Sequence, residues 1–229
     1  MPADFIPRLD ILPAAQRRLW PELSMVPEEF ALYGGTGIAL HLGHRQSVDF
    51  DFFGTRAFDP DVLLGEIPFL ASATVTQRGK NTLGVTINQG DPVRVSFFGL
   101  PELPRLAAPH VAAENGLKVA SLLDLAGMKA SVAQKRSEAR DYIDIAAMLT
   151  DGRVDLPTAL AAAQAIYGAQ FNPQITLKAL TYFDDGNLSR LPAGTRELLV
   201  EAVRAVDLDR LPDIGGWIAR RQGRGGPER

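Results

Sequence analysis

Two carboxylates, Asp49 and Asp51, stand in the stretch Val48-Asp-Phe-Asp-Phe-Phe53. Alternating acidic and apolar residues have the period of a β-strand. Both acids therefore share one face, and Phe50 and Phe52 point the other way into a core. Carboxylates side by side repel, and a proton or a cation must relieve them. A hard divalent cation, Mg²⁺ or Mn²⁺, does this. Mg²⁺ takes one or two carboxylates and completes its shell with water and phosphate oxygens. The pair reads as half of a metal–phosphate site.

Gly34-Gly35-Thr36, upstream, supplies the other half. Glycines allow close backbone approach and unusual dihedrals. Amides at the start of a following helix can cradle phosphate oxygens, with the Thr36 hydroxyl as a further donor. Each piece alone is common: Gly-Gly marks turns, and Asp-x-Asp usually lies on a solvated strand face. Their order, strand to Gly-Gly to short helix to acidic strand, is what carries information.

The elements that must position these groups follow from pattern. Residues 11–24 read as a helix with Pro13 in its first turn. Residues 30–33 read as a buried strand ending at Gly34. Thr36 is expected to cap a helix through Leu42, closed by Gly43 in the left-handed conformation. Strand 48–53 follows, then a helix over 59–66 and strands over 74–77, 83–88 and 93–98. The turn residues Asn88-Gln-Gly-Asp-Pro92 predict a hairpin between the last two strands. Residues 100–109 form a Pro-rich connection. Beyond them the pattern is helical: 121–134, 137–149, 157–167, 173–182 and 195–206. Ser121 and Asp124 resemble a capping box at the first of these. The fold expected is α+β, with a mixed-sheet nucleotide-binding core over 1–115 and a helical region over 116–219. The Gly- and Arg-rich tail, 220–229, is expected to be disordered.

The motif of Gly-Gly followed by Asp-x-Asp resembles the signature of the polymerase-β-like nucleotidyltransferase superfamily. More closely, Leu32-Tyr-Gly-Gly-Thr36, Gly43-His-Arg-Gln-Ser47 and the acidic strand are similar to the AbiEii/AbiGii-type toxin nucleotidyltransferases. Lys129, Arg136 and Arg140-Asp-Tyr-Ile-Asp-Ile145 resemble that family's later motifs, and Leu180-Thr-Tyr-Phe-Asp-Asp185 its C-terminal region. The resemblance runs over residues 28–185. It implies that Asp49 and Asp51 bind the catalytic metal and that Gly34, Gly35 and Thr36 contact a triphosphate, with Ser47 beside them. It places Lys129 on the triphosphate as a point charge. It has Asp141 or Asp144 complete the catalytic set, and the helical region complete the active-site cleft. Arg45 and Arg136 join the nucleotide-binding candidates.

One departure stands out. Many polymerase-β-like enzymes carry a third carboxylate on a neighbouring strand, where it activates the attacking hydroxyl. The matching strand here, residues 93–98, presents Arg94 and Ser96. Asp91, before Pro92, is poorly placed. The base role is left to Asp141 or Asp144, to the substrate, or to nothing. The ordinary alternative for the helical acids is an Arg140–Asp144 pair at i,i+4. Tyr142, Ile145 and Leu149 form the apolar stripe of the same helix. His41 and His44 lack further soft ligands for zinc, so His44-Arg45 is expected to order the loop. Trp20 and Trp217 read as core or interface residues.

The bulk composition limits the rest. The 229 residues are 46% hydrophobic and 22% charged, values that a folded globular chain shows. The absence of cysteine excludes disulfides, thiolate metal sites and a cysteine nucleophile. The first residues have no apolar core of signal-peptide type. No stretch approaches the roughly 20 apolar residues that span a bilayer, so a cytoplasmic protein without a membrane partner is expected. The net charge of −3 gives no bulk support for nucleic-acid binding.

The resemblance implies transfer of NMP from an NTP to an acceptor such as tRNA, with an antitoxin as partner. An alternative is a module that binds NTP–Mg²⁺ without turnover and acts through a protein partner. A weaker one is a glycosyltransferase, which also uses Asp-x-Asp.

Overall fold

The computed structural model describes residues 5–215. The expected disordered tail and Trp217 lie outside them. The chain forms two units: Met1–Pro104 with Ala108–Ser121, and Arg105–Ala107 with Leu122–Arg229.

The first unit is built on one seven-stranded sheet. Its strands are β1 (Phe30–Leu32), β2 (Asp49–Gly54), β3 (Thr74–Gly79), β4 (Thr82–Asn88), β5 (Pro92–Gly99), β6 (His110–Val111) and β7 (Lys118–Val119). The spatial order is β3-β4-β5-β2-β1-β7-β6. The sheet is mixed: β2 lies parallel to β5 and antiparallel to β1. The expected hairpin joins β4 to β5, with Asn88 opposite Pro92. Helix α2 (Gly34–Leu42) connects β1 to β2, and Gly43 closes it in the left-handed conformation at φ 66°.

β2 alternates half-buried and buried residues along its length. Phe50 and Phe52 enter the core as expected, and Phe52 stacks on Phe97 of β5 with ring centroids 5.1 Å apart. Trp20 is also a core residue. The two-residue strands β6 and β7 were not foreseen, because two residues are too few to show a period.

The expected helix over 11–24 is broken into a 3₁₀ turn, a short helix α1 (Ala14–Leu19) and a second 3₁₀ segment, Trp20–Met25. Pro21 has no N–H to offer a helical hydrogen bond, which ends α1 where it does. A further helix, α3 (Pro60–Glu66), is capped by Asp59, whose side chain accepts from Asp61 N at 2.8 Å.

The second unit is helical: α4 (Leu122–Val132), α5 (Ala139–Asp151), α6 (Leu156–Tyr167), α7 (Pro173–Ala179) and α8 (Ala193–Arg204). α4 crosses α6 closely at Gly127, where an added Cβ would lie 3.0 Å from Ala162. Asp155 and Asn172 cap α6 and α7, and Gly152 ends α5 at φ 77°. Asp124, at the start of α4, is buried. Its carboxylate accepts from the amides of Leu106 at 2.8 Å and Ala107 at 3.2 Å, which assigns that short connection to the helical unit.

Candidate active site

In the sheet unit, the end of β1 is tied to the acidic strand by Tyr33 N, which donates to Asp51 O at 2.8 Å. The chain then turns at Gly34, whose φ is +67°. A Cβ on Gly34 would stand 2.8 Å from Asp51 Oδ2. Glycine is required twice over, for the left-handed backbone and for the approach to the carboxylate. Helix α2 starts at this point. The amides of Gly34, Gly35 and Thr36 have no intrahelical acceptors, and they form the positive end of the helix dipole.

Thr36 does not cap this helix; the cap position is Tyr33, and no side chain caps it. Thr36 is buried, and its hydroxyl donates to Asp49 O. The same hydroxyl lies 2.8 Å from Ser47 Oγ. A hydroxyl has one proton, so Ser47 is the donor in that second bond. The pair therefore fixes α2 to the first residue of the acidic strand. Arg45, half-buried in the connecting loop, donates to Gln46 O at 2.8 Å. His41 is buttressed by ring contacts with Phe5 and His110 and lies 2.9 Å from Ala120 O.

Arg94 is the residue that the sequence left without a role. It stands opposite Asp49 in the parallel β2–β5 register, and Ser96 stands opposite Asp51. Its Nε donates to Asp49 Oδ1 at 2.8 Å and its Nη2 to Oδ2 at 3.2 Å, a two-pronged ion pair. The Arg94 side chain is 66% exposed and that of Asp49 27%. The signal was present in the chain. Parallel pairing of the two strands places Arg94 beside an acid, but strand order is not readable from strand period.

The residues fit a divalent cation that arrives with phosphate. Two partly exposed carboxylates share one strand face, and one already binds a cationic group. Among the described residues, no group of three or more His, Cys, Asp and Glu side chains is placed to hold a metal. Mg²⁺ needs only one or two carboxylates when substrate phosphates fill its remaining positions.

The helical unit gathers the remaining candidates into a second cluster. Lys129 on α4 and Asp141 and Asp144 on α5 are all buried. Lys129 Nζ lies 2.5 Å from Asp141 Oδ1 and 2.8 Å from Asp144 Oδ2. Arg136, in the α4–α5 connection, grips Asp141 through Nε at 2.7 Å and Nη2 at 3.0 Å. Two cations thus balance two carboxylates. Burial works to raise the Asp141 pKa. The hydrogen bond from Arg136 and the charge and hydrogen bond of Lys129 outweigh it, and hold the carboxyl below its ordinary value. The Arg140–Asp144 pair, the ordinary alternative for the helical acids, is absent. Arg140 instead pairs with Glu138 at 2.8 Å, because Asp144 faces inward to Lys129.

Beside this cluster, within the same unit, lies an open groove of about 630 Å³. Lys135, Arg136, Lys178, Ile175, Tyr142 and Tyr182 line it. Tyr182 is 51% exposed. Tyr142 donates its hydroxyl to Ala179 O at 3.1 Å, and burial, with Asp141 and Asp185 nearby, pushes its pKa up to about 12. No helix among the described residues is long and apolar enough to cross a membrane.

Comparison with known proteins places these features in context. The family model for the nucleotidyl transferase AbiEii toxin, of type IV toxin–antitoxin systems, matches residues 22–214. An uncharacterized protein of Aquifex aeolicus is 30% identical over 159 residues, covering 69% of this chain and 75% of the relative. The nucleotidyltransferase toxin MenT4 of Mycobacterium tuberculosis H37Rv aligns with a TM-score of 0.58 at 15% identity, over 92% of this chain and 88% of its own. An H. pylori structure described as a nucleotidyltransferase aligns with a TM-score of 0.53 at 13% identity, over 93% and 97%. At these identities the two structures establish a shared fold.

Proposed function

The chain belongs to the AbiEii nucleotidyltransferase toxin family and is a nucleotidyltransferase; from that premise we propose that Asp49 and Asp51 hold a divalent cation for transfer of NMP from an NTP to an RNA acceptor. The observation that carries this reading is the approach of Gly34 to Asp51, which sets the amides of a helix start against the acid pair. A triphosphate is the ligand that uses both: its oxygens accept from the amides and share the cation. Mg²⁺ or Mn²⁺, when bound there, neutralises charge on the α-phosphate and on the departing pyrophosphate.

The chain's own contributions follow from the geometry. Gly34 and Gly35 would supply amides to the phosphates, and Asp49 and Asp51 would hold the cation. Thr36 and Ser47 fix the spacing between helix and strand, with Arg45 bracing the loop between them. In the reaction, an acceptor hydroxyl oxygen bonds to the α-phosphorus and the α–β bridging bond breaks. Asp141, held below the ordinary carboxylate range, is a weak base. We therefore assign it, with Asp144, to positioning Lys129, and the acceptor proton leaves with the pyrophosphate. Within the helical unit, Lys129 and Arg136 stay paired with these two carboxylates.

An acceptor with single-stranded RNA at its end, as tRNA has, suits the groove in the helical unit. Exposed Tyr182 offers a stacking face, and Lys135 and Lys178 offer phosphate contacts. A toxin of this kind would act in the cytoplasm under the control of an antitoxin.

The test is a labelling assay. Each α-labelled NTP is incubated with the protein, Mg²⁺ and total tRNA, beside an Asp49→Ala/Asp51→Ala control. Label on RNA with the wild type alone supports the reading and names the nucleotide. Label that persists in the control sinks the assignment of the acid pair. One observation favours a second reading, a non-catalytic NTP–Mg²⁺ module: β5, beside the acidic strand, sets Arg94 and Ser96 opposite Asp49 and Asp51 and carries no third carboxylate. That reading predicts metal-dependent NTP binding without pyrophosphate release for any acceptor.

A further inference from the structure

We propose that Arg94 is a triphosphate ligand that waits on Asp49, so that loading of the acid pair moves its guanidinium from carboxylate to phosphate. The inference rests on the reading of Asp49 and Asp51 as the cation site.

The argument begins with occupancy. Arg94 binds both oxygens of Asp49, at 2.8 and 3.2 Å. Those are the atoms that a divalent cation would need. A cation and a guanidinium cannot share both oxygens, and their charges repel at that range. Arg94 therefore has to leave Asp49 in the loaded state.

Its destination is set by its anchor and its chemistry. Arg94 is fixed to β5 directly opposite Asp49, so its Cα stays beside the acid pair whichever way the side chain turns. The side chain is two-thirds exposed, so little packing is lost when it swings. The oxyanions that arrive with the cation are those of the triphosphate. Guanidinium binds phosphate in the same two-pronged geometry that it uses for carboxylate. One residue thus neutralises Asp49 before loading and gains a phosphate partner on loading.

A merely structural ion pair would not give the signature that follows. Removing Arg94 should tighten binding of the cation alone, because a competitor is gone. It should weaken binding of the cation–nucleotide complex, because a phosphate ligand is gone. The experiment uses full-length protein and measures Mn²⁺ affinity by electron paramagnetic resonance. In parallel it measures affinity for a Mn²⁺-bound NTP analogue that cannot be cleaved between the α and β phosphates. Wild type, Arg94→Ala and Arg94→Lys are compared, with the Asp49→Ala/Asp51→Ala protein as the blank.

For Arg94→Ala, Mn²⁺ alone should bind about two- to five-fold more tightly, the span expected for loss of an exposed ion-pair competitor. The Mn²⁺–analogue complex should bind about ten-fold more weakly or worse, as for a lost charge-assisted contact. Arg94→Lys, which keeps the charge but not the fork, should fall between. Thermal melting checks that each variant is folded.

If wild type binds Mn²⁺ and Arg94→Ala binds it no more tightly, or if the analogue's affinity does not fall, the role of Arg94 is refuted while the cation site stands. If wild type binds no more Mn²⁺ than the blank, the cation site itself is wrong and the proposal falls with it.

Discussion

Lys129 places one buried ammonium between two carboxylates, 2.5 Å from Asp141 and 2.8 Å from Asp144, and so links α4 to α5 through charge as well as packing. Arg136 brings the count to two cations and two anions. Burying ions is costly, and such a cluster is tolerable only while it is balanced.

The first prediction follows from that balance. Lys129→Ala leaves two carboxylates in a buried site with a single partner. The loss should be about 3–5 kcal/mol of folding stability, the usual consequence of breaking a buried pair. Urea denaturation followed by circular dichroism measures it. A variant as stable as wild type would show that the cluster relaxes or takes up protons without penalty. Loss of transfer activity in Lys129→Ala is interpretable only after the folded fraction is known.

Acid pH should act through Asp141. Its folded pKa is lowered from the ordinary value of 3.8, chiefly against burial, by Arg136 and Lys129. A lowered carboxyl contributes stability that is present above the unfolded pKa and is lost as pH falls through the folded one. Wild-type unfolding free energy should therefore decline with a steepening slope as pH drops below about 4. Asp141→Asn should be less stable near neutrality and should have a flatter slope in that acid window. Equal slopes for the two proteins would remove Asp141 from the account.

Gly34→Ala tests the turn. Alanine at φ +67° costs about 1–2 kcal/mol of backbone strain. Its Cβ would also press on Asp51 Oδ2, 2.8 Å away. The expected result is a modest loss of melting temperature together with loss of Mn²⁺-dependent nucleotide binding. Retained binding would mean that the approach of Gly34 to Asp51 does not shape the ligand site.

The groove can be separated from the acid pair by two substitutions. Tyr182→Ala and Lys178→Glu alter exposed residues that the fold does not need. Loss of a stacking base is worth about 1–3 kcal/mol, so RNA affinity should fall about ten-fold or more. Affinity for NTP with Mn²⁺ should not change. Filter binding with single-stranded RNA decides this, and an unchanged RNA affinity would move the acceptor site elsewhere.

Much of the sheet unit was legible in the chain because its signals are local. The alternation of Asp49 to Phe53 fixed the strand faces, and the turn from Asn88 to Pro92 fixed the hairpin. Gly43 closed α2 in the left-handed conformation that its position demands. What was missed is non-local. Arg94 meets Asp49 only because β5 lies parallel to β2, and no residue within either strand announces that neighbour. Thr36 looked like a cap from its place before an apolar run. Its hydroxyl in fact serves Asp49 O and Ser47, residues that reach it only through the folded loop. Arg140 looked like the partner of Asp144 by helical spacing, but a buried lysine on another helix outcompetes a neighbour that faces solvent.

The grip of Asp124 on the amides of Leu106 and Ala107 bears on how the chain can be divided. The polypeptide passes into the helical unit at Arg105, returns at Ala108, and passes back again at Leu122. A protease that cuts between residues 121 and 122 would sever the last of these crossings only. The short loop over 105–107 would stay clasped by the carboxylate of the other fragment, as a thread stays caught in a stitch. Nicked protein should then run as one species on gel filtration and come apart only in denaturant. For the same reason, a fragment ending at 121 would carry two residues, Leu106 and Ala107, whose hydrogen-bond acceptor lies on the piece removed.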